Sequence, residues 1–206
     1  MNLTQELSSG VKQLGLNLGE EAQKKLLAYL ALLAKWNKVY NLTAIRQPEQ
    51  MVRHHLLDSL AVLPYLWAGH WLDVGCGAGL PGIVLAIARP QWRFTLLDSN
   101  SKKTSFIRQA VIDLKLDNVD VCCTRVESWQ TDEKFDGIIS RAFANIAEFV
   151  CVTRHLLVKE GRWVAMKGYP EQELQQLPEY IHVERIIPLK IPGLDAARCL
   201  VVLGTN

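Results

Sequence analysis

A glycine-rich turn carries the clearest chemical signal in this chain. It follows an apolar stretch that ends in Asp73, and it contains Gly75, Gly77 and Gly79. Glycine lets the backbone turn sharply and approach a ligand closely. A second apolar stretch ends in Asp98, whose carboxylate is placed to accept hydrogen bonds from ribose hydroxyls. The spacing therefore predicts a site for a cofactor that carries adenosine.

Two classes of cofactor fit this turn. Gly77, Gly79 and Gly82 match the Gly-x-Gly-x-x-Gly fingerprint of NAD-binding folds. Asp73 and the three glycines from Gly75 onward match instead the acidic-x-Gly-x-Gly-x-Gly loop of methyltransferases that use S-adenosylmethionine (SAM). The pattern alone leaves both interpretations open, one an NAD-dependent oxidoreductase and the other a methyltransferase.

Three observations favour SAM over NAD. Asp73 would repel a pyrophosphate, whereas it could orient the loop or the methionine ammonium of SAM. Pro81 has no N–H at the position where a dinucleotide site would direct an amide at phosphate. The predicted strands end in an antiparallel pair, which is the order of methyltransferases rather than of dehydrogenases. We therefore expect SAM as the cofactor.

The ends of the third and fourth predicted strands supply further candidate site residues. Val126 is placed to flank an adenine ring and Glu127 to read its edge, although Glu127 also fits a surface ion pair. Arg141 brings a permanent cation beside the transfer site, or else forms a structural salt bridge. The Asn/Asp-Pro-Pro-aromatic loop of enzymes that methylate exocyclic amines does not occur there. Amine methylation is therefore disfavoured.

The elements that must position these residues alternate from His70 onward. Strands are predicted at 70–74, 92–97, 118–124, 135–140, 162–167, 182–189 and 198–203, and helices at 82–88, 101–115, 145–158 and 170–177. Such alternation predicts a parallel sheet covered on both faces, and the short link before the last strand predicts an antiparallel edge pair. The fold class is thus α/β, with a Rossmann-like, seven-stranded, mostly parallel sheet.

Residues 1–69 are predicted to form a helical extension packed on a methyltransferase domain at residues 70–206. One buried helical face is marked by Leu26, Tyr29, Leu30 and Leu33. Pro48 suits the first turn of a further helix that Pro64 ends. Ser99 or Ser101 is available to cap the helix at 101–115.

Composition limits the class and the location of the protein. The 206 residues are 49% hydrophobic and 21% charged, and a net charge of +2 neither requires nor excludes a nucleic-acid partner. The five cysteines lack Cys-x-x-Cys spacing, which argues against a disulfide framework and a metal site. The N-terminus has no signal-peptide pattern, and the most apolar run is far shorter than the roughly 20 residues of a membrane span. We expect a cytoplasmic monomer without membrane contact.

Motifs along nearly the whole chain resemble those of one family, RsmG (also called GidB), the bacterial methyltransferases of 16S ribosomal RNA. In the first part of the chain they are Trp36-Asn-Lys, Asn41-Leu-Thr43, Arg53-His54 and Asp58-Ser59-Leu60. In the second part they are Asp73-Val-Gly75, Pro81-Gly82, Leu97-Asp98-Ser99, Arg125-Val-Glu127, Ile139-Ser-Arg-Ala142 and Lys167-Gly168. Because methyltransferases in general do not share the first part, the resemblance is specific.

The resemblance implies transfer of a methyl group from SAM to N7 of one guanine, number 527 in ribosomal numbering, in the 530 loop of 16S rRNA. The family's cofactor contacts fall here on Gly75, Leu80, Val126, Glu127 and Arg141, to which the turn itself adds Gly77 and Asp98. Cys76 replaces the usual Ser or Thr, and Ala78 replaces a Pro of some members. Both are small enough to keep the turn.

This chemistry fits the candidate residues. Guanine N7 carries a lone pair and no proton, so its attack on the methyl group needs no general base, and Arg141 is the catalytic candidate. His54 and His55 are interpreted as packing or RNA-contact residues, because adjacent side chains on a helix diverge. The cations available to bind RNA are Arg53, Lys102, Lys103, Arg125 and Lys167, with Arg46 and Arg108 as further candidates.

The expected partner is 16S rRNA, as free RNA, as an assembly intermediate or within the 30S ribosomal subunit. Phosphate contacts would make the binding steeply dependent on salt. A non-catalytic RNA-binding module with the same fold is a third interpretation of the chain.

Overall fold

A computed structural model describes residues 2–141, 143 and 145–206 of the protein. Met1, Ala142 and Ala144 lie outside the described residues, and so does the last position of the predicted motif at 139–142.

The first part of the chain is helical, as predicted. Its α-helices are α1 (Leu3–Gln13), α2 (Glu20–Tyr40), α3 (Pro48–Met51) and α4 (Asp58–Leu60), and Leu63–Tyr65 form a 3-10 turn. Pro48 stands in the first turn of α3, where its missing N–H leaves no helical bond unmade. Val52–Leu57 form a π-helix between α3 and α4, which the apolar spacing did not predict. Such wide turns are rare and are frequent at functional sites.

The second part alternates strands and helices. The strands are β1 (His70–Val74), β2 (Arg93–Asp98), β3 (Val119–Cys123), β4 (Phe135–Ser140), β5 (Leu157–Lys167), β6 (Ile181–Pro188) and β7 (Cys199–Thr205). The helices are α5 (Gly82–Ala88), α6 (Ser101–Leu114), α7 (Ile146–Thr153) and α8 (Glu171–Leu174), with 3-10 turns at Val126–Ser128 and Arg154–Leu156.

Within the described residues, the seven strands form one sheet in the order β3-β2-β1-β4-β5-β7-β6. The first five strands pair in parallel, whereas β7 runs antiparallel between β5 and β6. This topology confirms the predicted α/β class and the predicted antiparallel pair at one edge.

Three boundaries of the predicted elements were wrong by three residues or more, and one of them is the end of the helix predicted at 170–177, which ends at Leu174. The helix at 145–158 ends at Thr153, and β5 begins at Leu157, earlier than the predicted strand at 162–167. The Thr153 hydroxyl donates to the Phe149 carbonyl at 2.6 Å and accepts from Trp163 Nε1 at 2.8 Å. This pair of hydrogen bonds ties the helix end to β5, an interaction between segments that a local pattern does not show.

The N-terminal cap of α6 also differs from the prediction. Neither Ser99 nor Ser101 caps the helix. Asn100 does so, because its side-chain oxygen accepts from the backbone N–H groups of Lys102 and Lys103. A short polar side chain of this type satisfies N–H groups that the first helical turn leaves without partners.

The core lies on both faces of the sheet. On one face a single apolar cluster joins α1 and α2 to α5 and α6, and it includes the predicted stripe of Leu26, Tyr29, Leu30 and Leu33. On the other face α7 packs over a second cluster. Because the first cluster continues across residue 69, the division of the chain at that point stays a prediction. No helix among the described residues is long and apolar enough to cross a membrane.

Candidate active site

The glycine turn after β1 has a backbone that favours glycine at each of its three alternating positions. Gly75, Gly77 and Gly79 have φ values of 69°, 59° and 86°, in the left-handed region that side chains disfavour. The N–H groups of Gly75 and Cys76 donate to the Leu97 carbonyl at 2.8 and 3.2 Å. These hydrogen bonds therefore hold the start of the turn against the end of β2.

Asp73 supports this turn from beneath. Its side chain is completely buried, and its Oδ2 accepts from the Gly82 N–H at 2.7 Å. Of the two roles that the sequence left open for Asp73, orientation of the loop is the one that this contact serves. Burial raises the pKa of its carboxyl group to about 7. From α2, Tyr29 donates a hydrogen bond of 2.6 Å to the Ala78 carbonyl, so the first part of the chain also holds the turn.

Asp98 lies at the end of β2, beside the turn. Its Oδ2 accepts from the Gly77 N–H at 2.9 Å, and its Oδ1 accepts from the Asn100 N–H at 2.8 Å. An ionised carboxylate offers about four acceptor positions, so these two bonds leave capacity for ribose hydroxyls. Two strand ends thus meet at the carboxyl edge of the sheet, where ligands of α/β folds bind.

A cavity of about 310 Å³ opens at this edge, and we call it the loop cavity. Its lining includes Gly75, Asp98, Lys103, Arg125, Val126 and Glu127. Val126 is buried and presents an apolar surface, whereas Glu127 is exposed. Sequence reasoning placed four of these six residues at the cofactor, and it expected Arg125 to contact RNA. Lys103, expected to contact RNA, lies in the cavity wall instead of standing free on the surface.

A second cavity, of about 260 Å³, also borders the turn, and we call it the junction cavity. It shares Gly75 and Lys103 with the loop cavity. Its lining also includes Thr43, His55, Gly77, Leu80 and Arg141. The sequence-predicted residues Gly77, Leu80 and Arg141 are therefore brought together here, with Leu42, Thr43 and His55 from the first part of the chain.

A third cavity, of about 410 Å³, follows, and we call it the arginine cavity. It is lined by Ile45, His54, His55, Asp58, Arg141, Met166, Lys167, Gly168 and Arg198. His55 and Arg141 line both this cavity and the junction cavity. These two residues consequently mark the place where the cofactor side of the site meets a second, cationic space.

His55 lies buried and uncharged between the junction cavity and the arginine cavity. Its Nε2 lies 3.0 Å from the Thr43 hydroxyl. Burial, and then the nearby Arg141 cation, lower the pKa of His55 to about 4. The imidazole is therefore neutral near pH 7, which agrees with its interpretation as a packing residue.

An ion-pair network lies in the wall of the arginine cavity. Asp58 Oδ2 accepts from Arg141 Nη1 at 3.2 Å, and Asp58 Oδ1 accepts from Arg198 Nε at 3.1 Å. Arg141 Nη1 also donates to the His54 carbonyl at 3.2 Å. Sequence reasoning assigned no role to Asp58 or Arg198. A lone acid within the apolar stretch Leu56 to Leu63 was an available signal for Asp58, whereas no local signal identified Arg198.

The remaining cations predicted to bind RNA are dispersed. Lys167 Nζ contacts Glu173 Oε2 at 2.7 Å and the Phe143 carbonyl at 2.8 Å on the wall of the arginine cavity. Arg125, Lys102, Arg46 and Arg108 are exposed. Arg53 Nε donates to Glu6 at 2.6 Å beside a small separate cavity, so the structure does not bring Arg53 into the site. Among the described residues there is no group of three or more His, Cys, Asp or Glu side chains that could hold a metal ion.

Several solved structures with the same fold bear the names of methyltransferases. The glycopeptide N-methyltransferase MtfA, in complex with SAM, has a TM-score of 0.63 at 11% identity, over 74% of this chain and 95% of that chain. TrmN from Thermus thermophilus has a TM-score of 0.58 at 17% identity, over 72% of this chain and 48% of that chain. The strand order and these likenesses define the fold as that of the class I methyltransferases, whose cofactor is SAM.

The family follows from the sequence comparison. A model of the family described as rRNA small subunit methyltransferase G, or GidB, matches residues 22–201. The protein of that name from Laribacter hongkongensis (strain HLHK9) is 54% identical over 205 residues, 99% of each chain. The one from Chromobacterium violaceum is 54% identical over 200 residues, 96% of each chain. This chain belongs to that family, and the NAD-dependent interpretation of the glycine turn is set aside.

Proposed function

We propose that this protein transfers a methyl group from SAM to N7 of guanine 527 in the 530 loop of 16S rRNA. One observation carries the proposal: His55 and Arg141 line both the junction cavity beside the glycine turn and the larger arginine cavity. A methyl donor on one side and a nucleotide on the other would meet at this passage. The names of the relatives, all rRNA small subunit methyltransferase G, support RNA as the acceptor.

The residues of the loop and junction cavities fit SAM. The turn at Gly75 and Gly77 leaves room for close approach, Asp98 retains acceptor capacity for the ribose, and Val126 offers an apolar surface to the adenine. Leu80 and Arg141 border the junction cavity, on the side where the methionine part would lie. The bound sulfonium supplies an electrophilic methyl group. The protein contributes the placement of that group relative to the acceptor.

The acceptor needs positioning rather than a base. N7 of guanine has no proton to lose, so the uncharged His55 is not required to accept one. Holding the nucleophile and the methyl group in line at van der Waals contact supplies most of the acceleration. Arg141, placed between the two cavities, is the candidate that orients the base.

Binding of the RNA would rest on cations around this opening. Four candidates lie near the carboxyl edge of the sheet, namely Lys102, Lys103, Arg125 and Lys167. Arg53 is the weakest candidate, because it pairs with Glu6 away from this edge. The proposed partner is 16S rRNA, free or within the 30S subunit or its assembly intermediates. We propose that the enzyme acts as a monomer in the cytoplasm, where this partner is made.

Methyl transfer in vitro tests the proposal. The protein is incubated with tritiated SAM and, separately, with 16S rRNA, 30S subunits and 70S ribosomes, and the labelled nucleoside is then identified by mass spectrometry. We expect label in 7-methylguanosine at one position and in at least one of the three substrates. Label in another nucleoside would contradict the assignment of N7. A protein that binds S-adenosylhomocysteine poorly and labels none of the substrates would favour a non-catalytic RNA-binding module.

A further inference from the structure

We propose that Asp58 is a positioning residue that holds Arg141 and Arg198 as a pair, and that this pair binds a backbone phosphate next to the methyl-accepting base. The inference rests on the proposed function, because it concerns how the arginine cavity receives RNA. Asp58 itself does not touch the RNA; it acts through the two arginines.

The two oxygens of the Asp58 carboxylate each hold a different guanidinium group. Oδ2 lies 3.2 Å from Arg141 Nη1, and Oδ1 lies 3.1 Å from Arg198 Nε. Each arginine also donates to a backbone carbonyl, Arg141 to that of His54 and Arg198 to that of Ala197. The two guanidinium groups are therefore held in position by hydrogen bonds to carbonyl groups as well as by ion pairs with Asp58.

Burial separates the roles of the three side chains. The Asp58 side chain is only 2% exposed, whereas those of Arg141 and Arg198 are 28% and 31% exposed. Both guanidinium groups border the arginine cavity. Their Nη2 atoms make no hydrogen bond to any of the described residues. Asp58 is thus a buried partner of the two arginines, while one terminal nitrogen of each arginine remains available to a ligand.

The charges explain why the acid is needed. Two guanidinium groups that share one cavity repel each other, and a carboxylate between them offsets that repulsion. The third cation of the lining, Lys167, is engaged by Glu173. The three-residue cluster keeps a net positive charge, and planar N–H donors of arginine match phosphate oxygens in geometry. Its ligand is therefore an anion, and the RNA backbone provides one beside every base.

The cluster also gives the first part of the chain a function. Asp58 belongs to α4, Arg141 follows β4, and Arg198 precedes β7, so the partners are 83 and 140 residues away from Asp58. The loop cavity contains no residue from the first part of the chain among those that line it. Packing of the N-terminal helices therefore helps to form the arginine and junction cavities rather than the loop cavity.

The variant Asp58→Asn separates positioning from a simple charge effect. If Asp58 acted only through its negative charge, its removal would tighten RNA binding and leave kcat unchanged or higher. If Asp58 positions the arginines, kcat for 16S rRNA falls about 30-fold, while the Kd for RNA changes less than about threefold and the Kd for SAM less than about twofold. Single-turnover methyl transfer and filter binding measure these quantities.

A matched control accounts for lost stability. Glu6→Gln also removes a buried carboxylate of the N-terminal helices that pairs with an arginine, since the Glu6 side chain is 6% exposed and contacts Arg53. Glu6 lines neither the loop, the junction nor the arginine cavity among the residues described. We expect Glu6→Gln to lower the melting temperature about as much as Asp58→Asn and to change kcat less than about twofold.

Arg198→Lys keeps the experiment decisive if Asp58→Asn fails to fold. Lysine keeps the charge but has no Nε–H to meet Asp58 and no planar fork, so kcat is expected to fall about tenfold. A folded Asp58→Asn or Arg198→Lys enzyme with the wild-type kcat would overturn the inference. A wild-type protein that methylates no rRNA would instead overturn the proposed function, so the two failures are distinct.

Discussion

The loop cavity and the arginine cavity are built in different ways. The loop cavity is formed by neighbouring strand ends. It is bordered at Gly75 by the glycine turn, one short piece of chain whose shape comes from left-handed backbone angles. The arginine cavity is formed by Asp58, Arg141 and Arg198, which are far apart in sequence and meet through ion pairs. One site is specified by local conformation and the other by tertiary packing.

This difference has a functional consequence. A small methyl donor that is bound afresh at every turnover suits a rigid turn held by backbone hydrogen bonds to β2 and by the buried Asp73. A large RNA suits a wide cationic opening whose side chains are set by one buried acid. Variants in the two regions should therefore separate SAM binding from methyl transfer.

Gly75→Asp should have the largest effect, on the cofactor side. A side chain at φ 69° is strained, and its charge would enter a cavity that already contains Asp98. We expect SAM binding to weaken at least about 1,000-fold in isothermal titration, equivalent to about 4 kcal/mol. Gly15→Asp is the control, because Gly15 has the same φ of 69° in open space. Near-normal SAM affinity of Gly75→Asp would show that the turn does not hold the cofactor.

The buried acid beneath the turn should make stability depend on pH. The pKa of Asp73 is raised from 3.8 to about 7 by burial, so the native state keeps a proton that the unfolded chain releases. The stability that this group provides is complete below pH 3.8 and is lost as the pH rises to about 7, an effect on the order of 4 kcal/mol. Asp73→Asn should remove this slope in urea unfolding measured across that range. An unchanged slope would assign the pH dependence to other groups.

Arg141→Ala should act mainly on the acceptor side. Loss of the cation between the junction and arginine cavities is expected to lower methyl transfer to 16S rRNA about 100-fold, or about 2.7 kcal/mol, with less than about a fivefold change in SAM affinity. Arg162→Ala provides the control, because Arg162 is also about one-third exposed and pairs with Glu184 outside these cavities. Equal losses of folding and activity in Arg141→Ala would make it a structural arginine.

The smallest expected effect on SAM binding distinguishes two neighbouring lysines. Lys103 lines the loop and junction cavities, whereas Lys102 is exposed on the same helical turn. Lys103 is also a candidate for RNA contact, but because it lines both cavities we expect Lys103→Ala to weaken SAM binding about fivefold. Lys102→Ala should leave SAM binding unchanged and reduce the salt dependence of RNA binding by about one phosphate contact. If the two variants changed SAM binding and RNA binding equally, the proposed difference between a cavity lysine and a surface lysine would be wrong.

The sequence predicted the parts of the molecule that depend on local chemistry. The strand-helix alternation gave the sheet, and the alternating glycines between Asp73 and Asp98 located the turn, because period and turn residues act over a few positions. The π-helix at Val52–Leu57, the cap at Asn100 and the end of α7 were missed. At each of these positions several local backbone conformations have similar energies. Contacts with distant parts of the chain determine which conformation forms.

The arginine cavity lay largely beyond sequence reasoning. Arg141 was recognised through its place after β4, but its meeting with Asp58 and Arg198 depends on how the N-terminal helices pack on the sheet. The same limit applies to Arg53, which the sequence grouped with RNA contacts and the structure pairs with Glu6. Charge in a sequence shows what a residue can bind, while its partner is set by the fold.

Mapping of the methyl group in cells tests the central claim most directly. A strain that lacks this gene is complemented with the wild-type protein or with Gly75→Asp, and 7-methylguanine in 16S rRNA is mapped by chemical cleavage and primer extension. We expect modification of guanine 527 with the wild-type protein and none without the gene or with Gly75→Asp. Modification of that guanine in the uncomplemented strain, or equal modification with Gly75→Asp, would contradict the account.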